Sequence, residues 1–445
     1  MLFYNYPSNQ RVIVNFFLTL LYDIILYLLA LLALPKMLFS FLFQKKYRQN
    51  FLPRLGIRYP EFRSRALPSI WIHAVSVGET KAIVKLARDL KRRYPDNSLI
   101  ISTTTETGHE EAKRSLPFAD YYVYLPFDFC WLTQRIVKKA NPGLVIFSET
   151  DFWYNFLYYS KKNGAAIALV NGKLSERSMR RFSLVPSFSK ALFGLFDVFC
   201  LQNTLYRGRF IEAGALEEKI IVTGNLKLDD DYPQLSNDEV MQWRQKLGIQ
   251  SNQLVLTIGS THSPEEKLFI QVLKEIWKTK PDLRVVMVPR HPERFVEVGR
   301  LLEKERLRWI NFSDINRRTG KEQVILIDAM GLLRMCYQLS DFAIVAGSYT
   351  DRVGGHNILE PCWYGKPVLF GPHMSTQVEL VDLMMQYRAG RQVGEDDLLA
   401  ILREWVEHPE GTKEMGMNGL RLIKDLRGST MRTINPLEPY LVKLH

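Results

Sequence analysis

The chain divides into an apolar front segment and a long series of short apolar runs that alternate with helical patterns. Between residues 68 and 223, the runs that predict strands are 70–74, 98–103, 121–125, 144–147, 166–170, 198–202 and 219–222. Segments between them, such as 80–94 and 129–140, have the 3.6-residue periodicity of helices. This alternation predicts a parallel sheet with helices on both faces.

The same pattern returns after a polar, turn-rich stretch at 224–238, which we interpret as an interdomain linker. The later runs that predict strands are 254–259, 284–288, 324–327, 342–346 and 368–370. The sequence therefore predicts an α/β protein with two Rossmann-like, doubly wound domains at 46–223 and 239–425, facing a cleft. Ligands of open α/β sheets collect at the carboxyl ends of the strands, so the cleft is the expected active site. Residues 426–445 are expected to form a helix that packs back on the first domain.

The front segment, residues 1–45, is expected to anchor the chain in a membrane. Its apolar run at 12–34 is long enough to cross a hydrocarbon core of about 30 Å. The basic residues that follow, against the single acid Glu61, are Lys36, Lys45, Lys46, Arg48, Arg54, Arg58, Arg63 and Arg65. Such a block favours the anionic cytoplasmic face of the inner membrane. A signal peptide would carry its charge before the apolar core, whereas Asp23, near the middle of the run, leaves open an interfacial helix.

The composition is typical of a globular protein with two domains and argues against a nucleic-acid-binding protein. With 445 residues, 47% of them apolar and 24% charged, the chain can build a core in each of two domains. Its four cysteines have no C-x-x-C spacing, which favours a reducing compartment. The net charge of +12 is concentrated beside the front segment, and no stripe of basic residues interleaved with aromatics follows, so nucleic acid is not an expected partner.

A glycine-rich stretch at 347–373 has the pattern strand, turn, helix, strand. Gly354 and Gly355 lie in the turn, and a helix is predicted from about Asn357. Glycines at the entrance of a helix let backbone N–H groups approach an anion closely, and the helix dipole adds positive charge. The stretch therefore predicts a phosphate site that needs no metal.

Further candidates for binding this anion follow other predicted strands of the second half. They are Ser260, Thr261, His262, Arg290, His291, His356 and, for a ribose diol, Glu360. The histidines have no metal-ligand spacing and each precedes a predicted helix, so we interpret them as donors to a phosphate rather than as metal ligands. The predicted donor loops contain no Asp-x-Asp motif, so no metal is expected for donor binding.

The first half offers Glu79, just after the strand at 70–74, as a general base that takes a proton from an acceptor hydroxyl. The alternative is an ordinary glutamate in the first turn of a helix. Candidates for binding the acceptor are Ser76, Thr104, Glu149, Lys173, Arg177 and Arg180. The cations suit an acceptor that carries phosphates, and Glu149, beside aromatic residues, suits a sugar. Helix capping by the hydroxyls and a solvated basic helix face remain alternatives.

Taken together, the loops at 73–79, 171–178, 224–227, 260–262, 289–293 and 354–373 resemble the signature of the 3-deoxy-D-manno-octulosonic acid (Kdo) transferase family of lipopolysaccharide assembly. The chain resembles this family from its front segment to about residue 425. The family consists of membrane-anchored glycosyltransferases of GT-B architecture. At Asp151, Tyr154 and Lys173 the chain departs from the residues common in the family.

The resemblance implies that Glu79 is the catalytic base and that the second domain binds CMP-Kdo. It also implies an acceptor that is a phosphorylated lipid A precursor, inversion at the anomeric carbon, no cofactor, and Asn225 and Lys227 in the cleft. Two alternatives remain open at this point. One is a GT-B enzyme or epimerase that uses a UDP-sugar, and the other is a non-catalytic, membrane-tethered protein that binds nucleotides or lipids.

Overall fold

Two parallel sheets of seven strands each organise the chain. The computed structural model describes residues 8–43, 45–57, 59–62, 67–229 and 232–444. The first unit comprises Met1–Asp230 together with Gly428–His445, and the second comprises Asp231–Arg427. Each unit contains one of the sheets with helices packed on it, and the α/β class predicted from the sequence is confirmed.

In the first sheet the strands stand in the order β3-β2-β1-β4-β5-β6-β7, and in the second in the order β10-β11-β9-β8-β12-β13-β14. The first-sheet strands are β1 (Ser69–His73), β2 (Leu99–Thr103), β3 (Tyr121–Tyr124), β4 (Pro142–Ser148), β5 (Ala166–Gly172), β6 (Val198–Leu201) and β7 (Ile220–Val222). The second-sheet strands are β8 (Val255–Thr261), β9 (Arg284–Pro289), β10 (Trp309–Asn311), β11 (Val324–Leu326), β12 (Phe342–Val345), β13 (Val368–Phe370) and β14 (Arg391–Gln392). In each sheet the strand order reverses beside the first strand, between β1 and β4 and between β8 and β12. These reversals are the topological switch points at which such sheets bind ligands.

The helices, in chain order, flank these sheets. They are α1 (Ser8–Phe43), α2 (Lys45–Arg54), α3 (Val77–Ala82), α4 (Val84–Arg93), α5 (Glu106–Ser115), α6 (Cys130–Ala140), α7 (Tyr154–Lys162), α8 (Glu176–Ser183), α9 (Pro186–Gly194), α10 (Thr204–Glu212), α11 (Asn237–Lys246), α12 (Glu265–Trp277), α13 (Phe295–Lys304), α14 (Leu333–Leu339), α15 (Val378–Gln386), α16 (Glu395–Glu407), α17 (Lys413–Leu426) and α18 (Ser429–Leu441). The last helix, α18, belongs to the first unit.

The central strands are buried on both faces, which explains why they are continuous apolar runs in the sequence. All five residues of β1 are buried. Ile70 and Ile72 pack on one face of the sheet with Leu437 of α18, whereas Trp71 packs on the other face with Phe147 of β4. A strand in this position has no solvent-facing side, so its polar neighbours lie at its ends.

Each strand predicted from the sequence overlaps a strand of the structure. Two edge strands, β10 and β14, were not predicted. They have only three and two residues, and β10 is half-buried whereas β14 is exposed, so neither forms a buried apolar run. The helix predicted at 80–94 is two helices, α3 and α4, which meet at Ile83. Arg58, Arg63 and Arg65 of the predicted basic block lie outside the described residues.

The stretch predicted as a linker at 224–238 is largely folded onto one unit or the other. A 3-10 helix at Leu226–Asp229 belongs to the first unit, and the Asp229 carboxylate accepts hydrogen bonds from the backbone N–H groups of Gly428 (2.6 Å) and Thr430 at the start of α18. In the second unit, the ring of Tyr232 stacks on Trp363 at 4.2 Å. The polar composition of this stretch therefore reflects capping and packing at its ends. Asp230 and Asp231 lie outside the described residues.

Gly416 allows α17 to approach the turn at Gly365 closely, and this contact gives a prediction. A methyl group on Gly416 would lie 2.1 Å from the Gly365 carbonyl oxygen. Gly416→Ala should therefore lower the free energy of unfolding of the second unit by about 1–3 kcal/mol, through overpacking. Urea unfolding of the purified protein measures this change. Gly411→Ala is the matched control, because a methyl group there meets nothing within 4 Å and should not destabilise. Equal stability of the two variants would contradict the close approach.

Candidate functional site

The first switch point brings together the ends of β1, β4 and β5. His73 is the last residue of β1, and Glu79 lies two residues into α3, whose N-cap is Ser76. Glu149 directly follows β4, and Lys173 directly follows β5. Because these strands are parallel neighbours, their carboxyl ends meet at one edge of the sheet.

Glu79 is half-buried and takes part in capping α3. Its Oε2 accepts a hydrogen bond from the Val75 N–H at 2.9 Å, and its Oε1 accepts one from the Ser76 hydroxyl at 3.2 Å. Burial raises the pKa of Glu79 above its ordinary value; the bond from Val75 lowers it in part, and the charge of Glu149 raises it further. The capping role considered in the sequence is thus present, and each carboxylate oxygen retains a second lone pair for an acceptor hydroxyl.

Glu149 is a buried carboxylate that holds two ammonium groups from different loops. It is 3% exposed, and its oxygens lie 2.5 Å from Nζ of Lys173 and 2.7 Å from Nζ of Lys227. Although burial acts to raise it, Lys227 and Lys173 hold the pKa of Glu149 below its ordinary value. The buried Glu149 carboxylate thus holds two half-exposed ammonium groups, which suit an anion.

Asn171 fixes the loop that carries Lys227. Its Oδ1 accepts a hydrogen bond from the Leu226 N–H at 3.0 Å. The Oδ1 of Asn225 accepts a hydrogen bond from the Lys227 N–H, also at 3.0 Å. Asn171 and Glu149 have backbone φ angles of 52° and 65°, in the left-handed region that non-glycine residues rarely adopt. Strained residues at the ends of two adjacent strands are typical of a functional site.

A His73–Asp151 pair at the same edge was not predicted. Nε2 of His73 lies 3.1 Å from Oδ2 of Asp151, which also accepts the Trp153 indole N–H at 2.6 Å. On the other side of the ring, Nδ1 lies 2.8 Å from Oγ of Ser102. Although burial opposes it, the His73 contact helps to hold the pKa of Asp151 below its ordinary value. The position of His73 as the last residue of a central strand is the signal that marks this pair.

The remaining predicted acceptor residues are spread along the edge. Thr104 follows β2 and is half-buried. On α8, Arg177 and Arg180 are exposed, and Arg180 pairs with Glu176 on the same helix. Lys173 and Lys227 therefore form ion pairs with Glu149, whereas Arg180 forms an ion pair within its own helix.

At the second switch point, Glu265 joins the loops that follow β8 and β12. Its buried carboxylate accepts hydrogen bonds from the backbone N–H groups of Gly347 (2.8 Å), Tyr349 (2.8 Å) and His262 (3.2 Å). Sequence analysis did not identify Glu265, although it is the first residue of α12, where a carboxylate is favoured. This side chain holds the two candidate donor loops together.

Three of the predicted donor histidines lie side by side. Nε2 of His262 lies 2.8 Å from Nε2 of His356, and the rings of His262 and His291 have centroids 5.3 Å apart. Burial lowers the pKa of His262, and burial with repulsion from His262 and Arg290 lowers the pKa of His356 to about 4. Both rings are therefore neutral near pH 7.

Ser260 and Thr261 directly precede His262 in the sequence, and Arg290 directly precedes His291. Ser260 has a φ of 59°, and the Arg290 N–H donates to the Thr261 carbonyl at 3.2 Å. The buried hydroxyl of Thr261 has no hydrogen-bond partner in the described part of the chain. In the described ranges, no group of three or more His, Cys, Asp or Glu side chains is placed to hold a metal ion.

Gly354 and Gly355 form a turn that only glycine can adopt without strain. Their φ angles are 80° and 90°, and added methyl groups would lie 2.7 Å from Oγ of Ser375 and 2.4 Å from Sδ of Met374. The Gly355 N–H donates to the Gly347 carbonyl at 2.8 Å, which closes the loop.

The helix predicted from Asn357 is wrong. The chain forms only a 3-10 helix of four residues at Pro361–Tyr364, with Glu360 just before it. A helix that began at Asn357 would need an N–H at position 361 to bond the Asn357 carbonyl, and proline has none. The dipole of an α-helix therefore does not contribute at this turn. Burial raises the pKa of Glu360, while Arg334 and Arg290 lower it in part.

Two doubly wound parallel sheets with polar residues at their switch points define a protein of the GT-B class. Solved structures with this fold include a UDP-GlcNAc 2-epimerase from Neisseria meningitidis (TM-score 0.57, 15% identity, 83% of this chain and 100% of that chain). Another is a glycosyltransferase from Rickettsia africae (TM-score 0.56, 14% identity, 85% and 99%). These likenesses establish the fold alone.

Sequence relatives identify the family. Residues 49–230 match the family described as 3-deoxy-D-manno-octulosonic-acid transferase (kdotransferase). A 3-deoxy-D-manno-octulosonic acid transferase of Chlamydophila psittaci is 32% identical over 95% of this chain and 96% of its own, and that of Haemophilus influenzae is 30% identical over 89% and 92%. The chain belongs to the Kdo transferase family and is a glycosyltransferase, as the resemblance implied.

The hydrogen bonds of Glu265 give a prediction for the second switch point. Both carboxylate oxygens accept from backbone N–H groups, so the amide of Glu265→Gln must turn its NH₂ toward at least one donor. The variant should lose about 1–3 kcal/mol of unfolding free energy. Chemical unfolding measures the loss, and Glu303→Gln, on the exposed side of α13, is the control, expected to change it by less than about 0.5 kcal/mol. A Glu265→Gln variant as stable as its control would argue against the carboxylate as the link between the loops.

Proposed function

We propose that the chain transfers Kdo from CMP-Kdo to a phosphorylated lipid A precursor, with inversion at the anomeric carbon and without a metal. The observation that carries this proposal is the half-buried carboxylate of Glu79, with its raised pKa, at the same sheet edge as the lysine pair on Glu149. A base of raised pKa is suited to taking a proton from a sugar alcohol, and fixed ammonium groups are suited to holding the phosphates of its carrier.

In the proposed reaction the acceptor hydroxyl loses its proton to Glu79 as its oxygen attacks the anomeric carbon of Kdo. The bond between that carbon and the phosphate oxygen breaks, and CMP departs with the electron pair. A single displacement of this kind inverts the anomeric centre. Neutral His262 and His356 use one N–H in the bond between their Nε2 atoms, so the pair keeps one N–H to donate. That N–H and the glycine loop at Gly354 and Gly355 provide hydrogen bonds for the departing phosphate.

The proposed setting is the cytoplasmic face of the inner membrane, in lipopolysaccharide assembly. Support comes from the apolar α1 and the basic residues that follow it in the sequence, which match an anionic leaflet and a lipid-linked acceptor. Membership of the Kdo transferase family agrees with both.

The direct test is incubation of the purified protein with CMP-Kdo and a tetra-acylated lipid A precursor, followed by mass spectrometry. Glu79→Gln should lower kcat by about a hundredfold to ten-thousandfold, because it removes the base. Glu239→Gln is a matched control, since Glu239 occupies the same position of a Ser-x-x-Glu capping box, at Ser236, and should leave kcat unchanged. Full activity of Glu79→Gln would exclude its role as base, and inhibition by UDP rather than CMP would exclude the proposed donor.

The lysine pair gives a second prediction. Lys173→Met and Lys227→Met should each raise KM for the phosphorylated acceptor by about tenfold to a hundredfold, the value of one charge-assisted hydrogen bond, with a smaller change in kcat. Steady-state kinetics measure both constants, and Lys190→Met, at an exposed position of α9, is the control. An equal rise in KM for an acceptor without phosphates would show that the lysines act in another way.

A further inference from the structure

One face of α1 is docked on the first unit. The half-buried or buried positions Thr19, Tyr22, Leu26, Ala30 and Ala33 recur every three or four residues, so they lie along one side of the helix. This side runs through the window of residues 18–35, which has a mean hydropathy of 2.1 and is apolar enough to cross a membrane. Solvent exposure within this window therefore differs between the two sides of the helix.

Within residues 18–35, the docked face carries the polar side chains of Thr19, Tyr22 and Asp23, and each of them has a partner in the first unit. The Tyr22 hydroxyl donates to Oδ2 of Asp128 at 2.7 Å, Nδ2 of Asn155 donates to Oδ1 of Asp23 at 2.6 Å, and the hydroxyls of Thr19 and Tyr154 lie 3.1 Å apart. These bonds explain why an aspartate stands near the middle of an apolar run. Asp23 is matched to an amide of α7.

The surface that receives α1 is a built site. Asp128 is 2% exposed, and its carboxylate also accepts the backbone N–H groups of Asn155 at 2.9 Å and Phe156 at 2.8 Å. Aromatic rings complete the contact, since Tyr22 stacks on Phe188 of α9 at 5.9 Å. The Tyr22 hydroxyl thus completes the set of donors to a buried carboxylate.

The opposite face of α1 is exposed and apolar. Its outward side chains are Leu20, Leu21, Ile24, Ile25, Leu28, Leu29, Leu31, Leu32 and Leu34, and Leu32 is 77% exposed. Exposed apolar residues near the docking site extend this apolar surface. Trp131 follows Cys130, which contacts Tyr27 of α1, and Leu184 and Val185 lie just before α9.

Docking and crossing a bilayer are incompatible for this helix. If residues 19–23 of α1 lay in the hydrocarbon, Asp128 and Asn155 would either have to enter it with the first unit or lose their hydrogen bonds to the helix. Unpaired polar groups in the hydrocarbon cost several kcal/mol each. Beyond Asp23, the last of the three polar docked residues, the apolar run before Pro35 and Lys36 is 24–34. As a helix it is about 16 Å long, which is short of the roughly 30 Å hydrocarbon core.

We propose that α1 lies in the plane of the membrane, with its polar face docked on the first unit and its apolar face inserted into one leaflet. Both ends of the helix then stay on the side of the globular units. This inference rests on the membrane association proposed above. The occupant of the apolar face is an anionic phospholipid leaflet, because the exposed arginines Arg177, Arg180 and Arg181 directly precede the exposed Leu184.

The topology of the full chain tests the proposal. A cysteine at Ser8, at the start of α1, is exposed to a membrane-impermeant maleimide in intact spheroplasts, with Lys321→Cys in the second unit as the control. Neither cysteine should be labelled until the membrane is opened. Labelling of Ser8→Cys but not of Lys321→Cys in intact cells would show that the helix crosses, and would overturn the proposal. Recovery of the protein from the soluble fraction would instead refute the membrane association on which it rests.

The apolar face is tested separately with phosphatidylglycerol vesicles. Leu32→Glu should weaken binding of the whole protein by about tenfold or more, from the loss of one buried leucine. Met417→Glu, at an exposed position of α17, should leave binding unchanged. Unchanged vesicle binding by Leu32→Glu, with a loss of self-association, would assign this face to a second copy of the chain and overturn the proposal.

Discussion

Burial of both faces of the central strands is the constraint on which the rest of the structure depends. Because β1, β4 and β5 have no solvent-facing side, polar groups can enter only where these strands end. The chain accepts left-handed backbone at Glu149 and Asn171 to place them there, a cost of about 1–3 kcal/mol each. Ion pairs and hydrogen bonds at the same residues offset that cost. The candidate site is thus a consequence of how the sheet is built.

The sheets could be predicted from the sequence because strands buried on both sides are continuous apolar runs. The site was predicted in part: Glu79 and Lys173 follow predicted strands, and local order was enough to find them. The His73–Asp151 pair and the Glu265 link could not be predicted, since they join residues far apart in the chain through the order of strands in space. The helix expected at Asn357 fails for a local reason, the missing N–H of proline at the fifth position.

The two units carry different side chains at their switch points. On the first unit, Lys173 and Lys227 are permanent charges fixed by a buried carboxylate. On the second, burial keeps His262 and His356 neutral beside the Arg290 guanidinium, so neutral rings and one cation lie together. In the proposed reaction this difference suits the two ligands. A lipid-linked acceptor benefits from a firm hold, whereas a nucleotide product must leave after each turnover.

The Asp229 carboxylate binds the chain where it returns to the first unit, at Gly428 and Thr430. In topology the second unit is therefore an insert, spliced into the first at two points that are neighbours in space. Such a module can be exchanged for another of similar size without rerouting the host sheet. The second unit of a transferase built in this way can therefore diverge while the first unit, with its sheet and α1, is inherited intact.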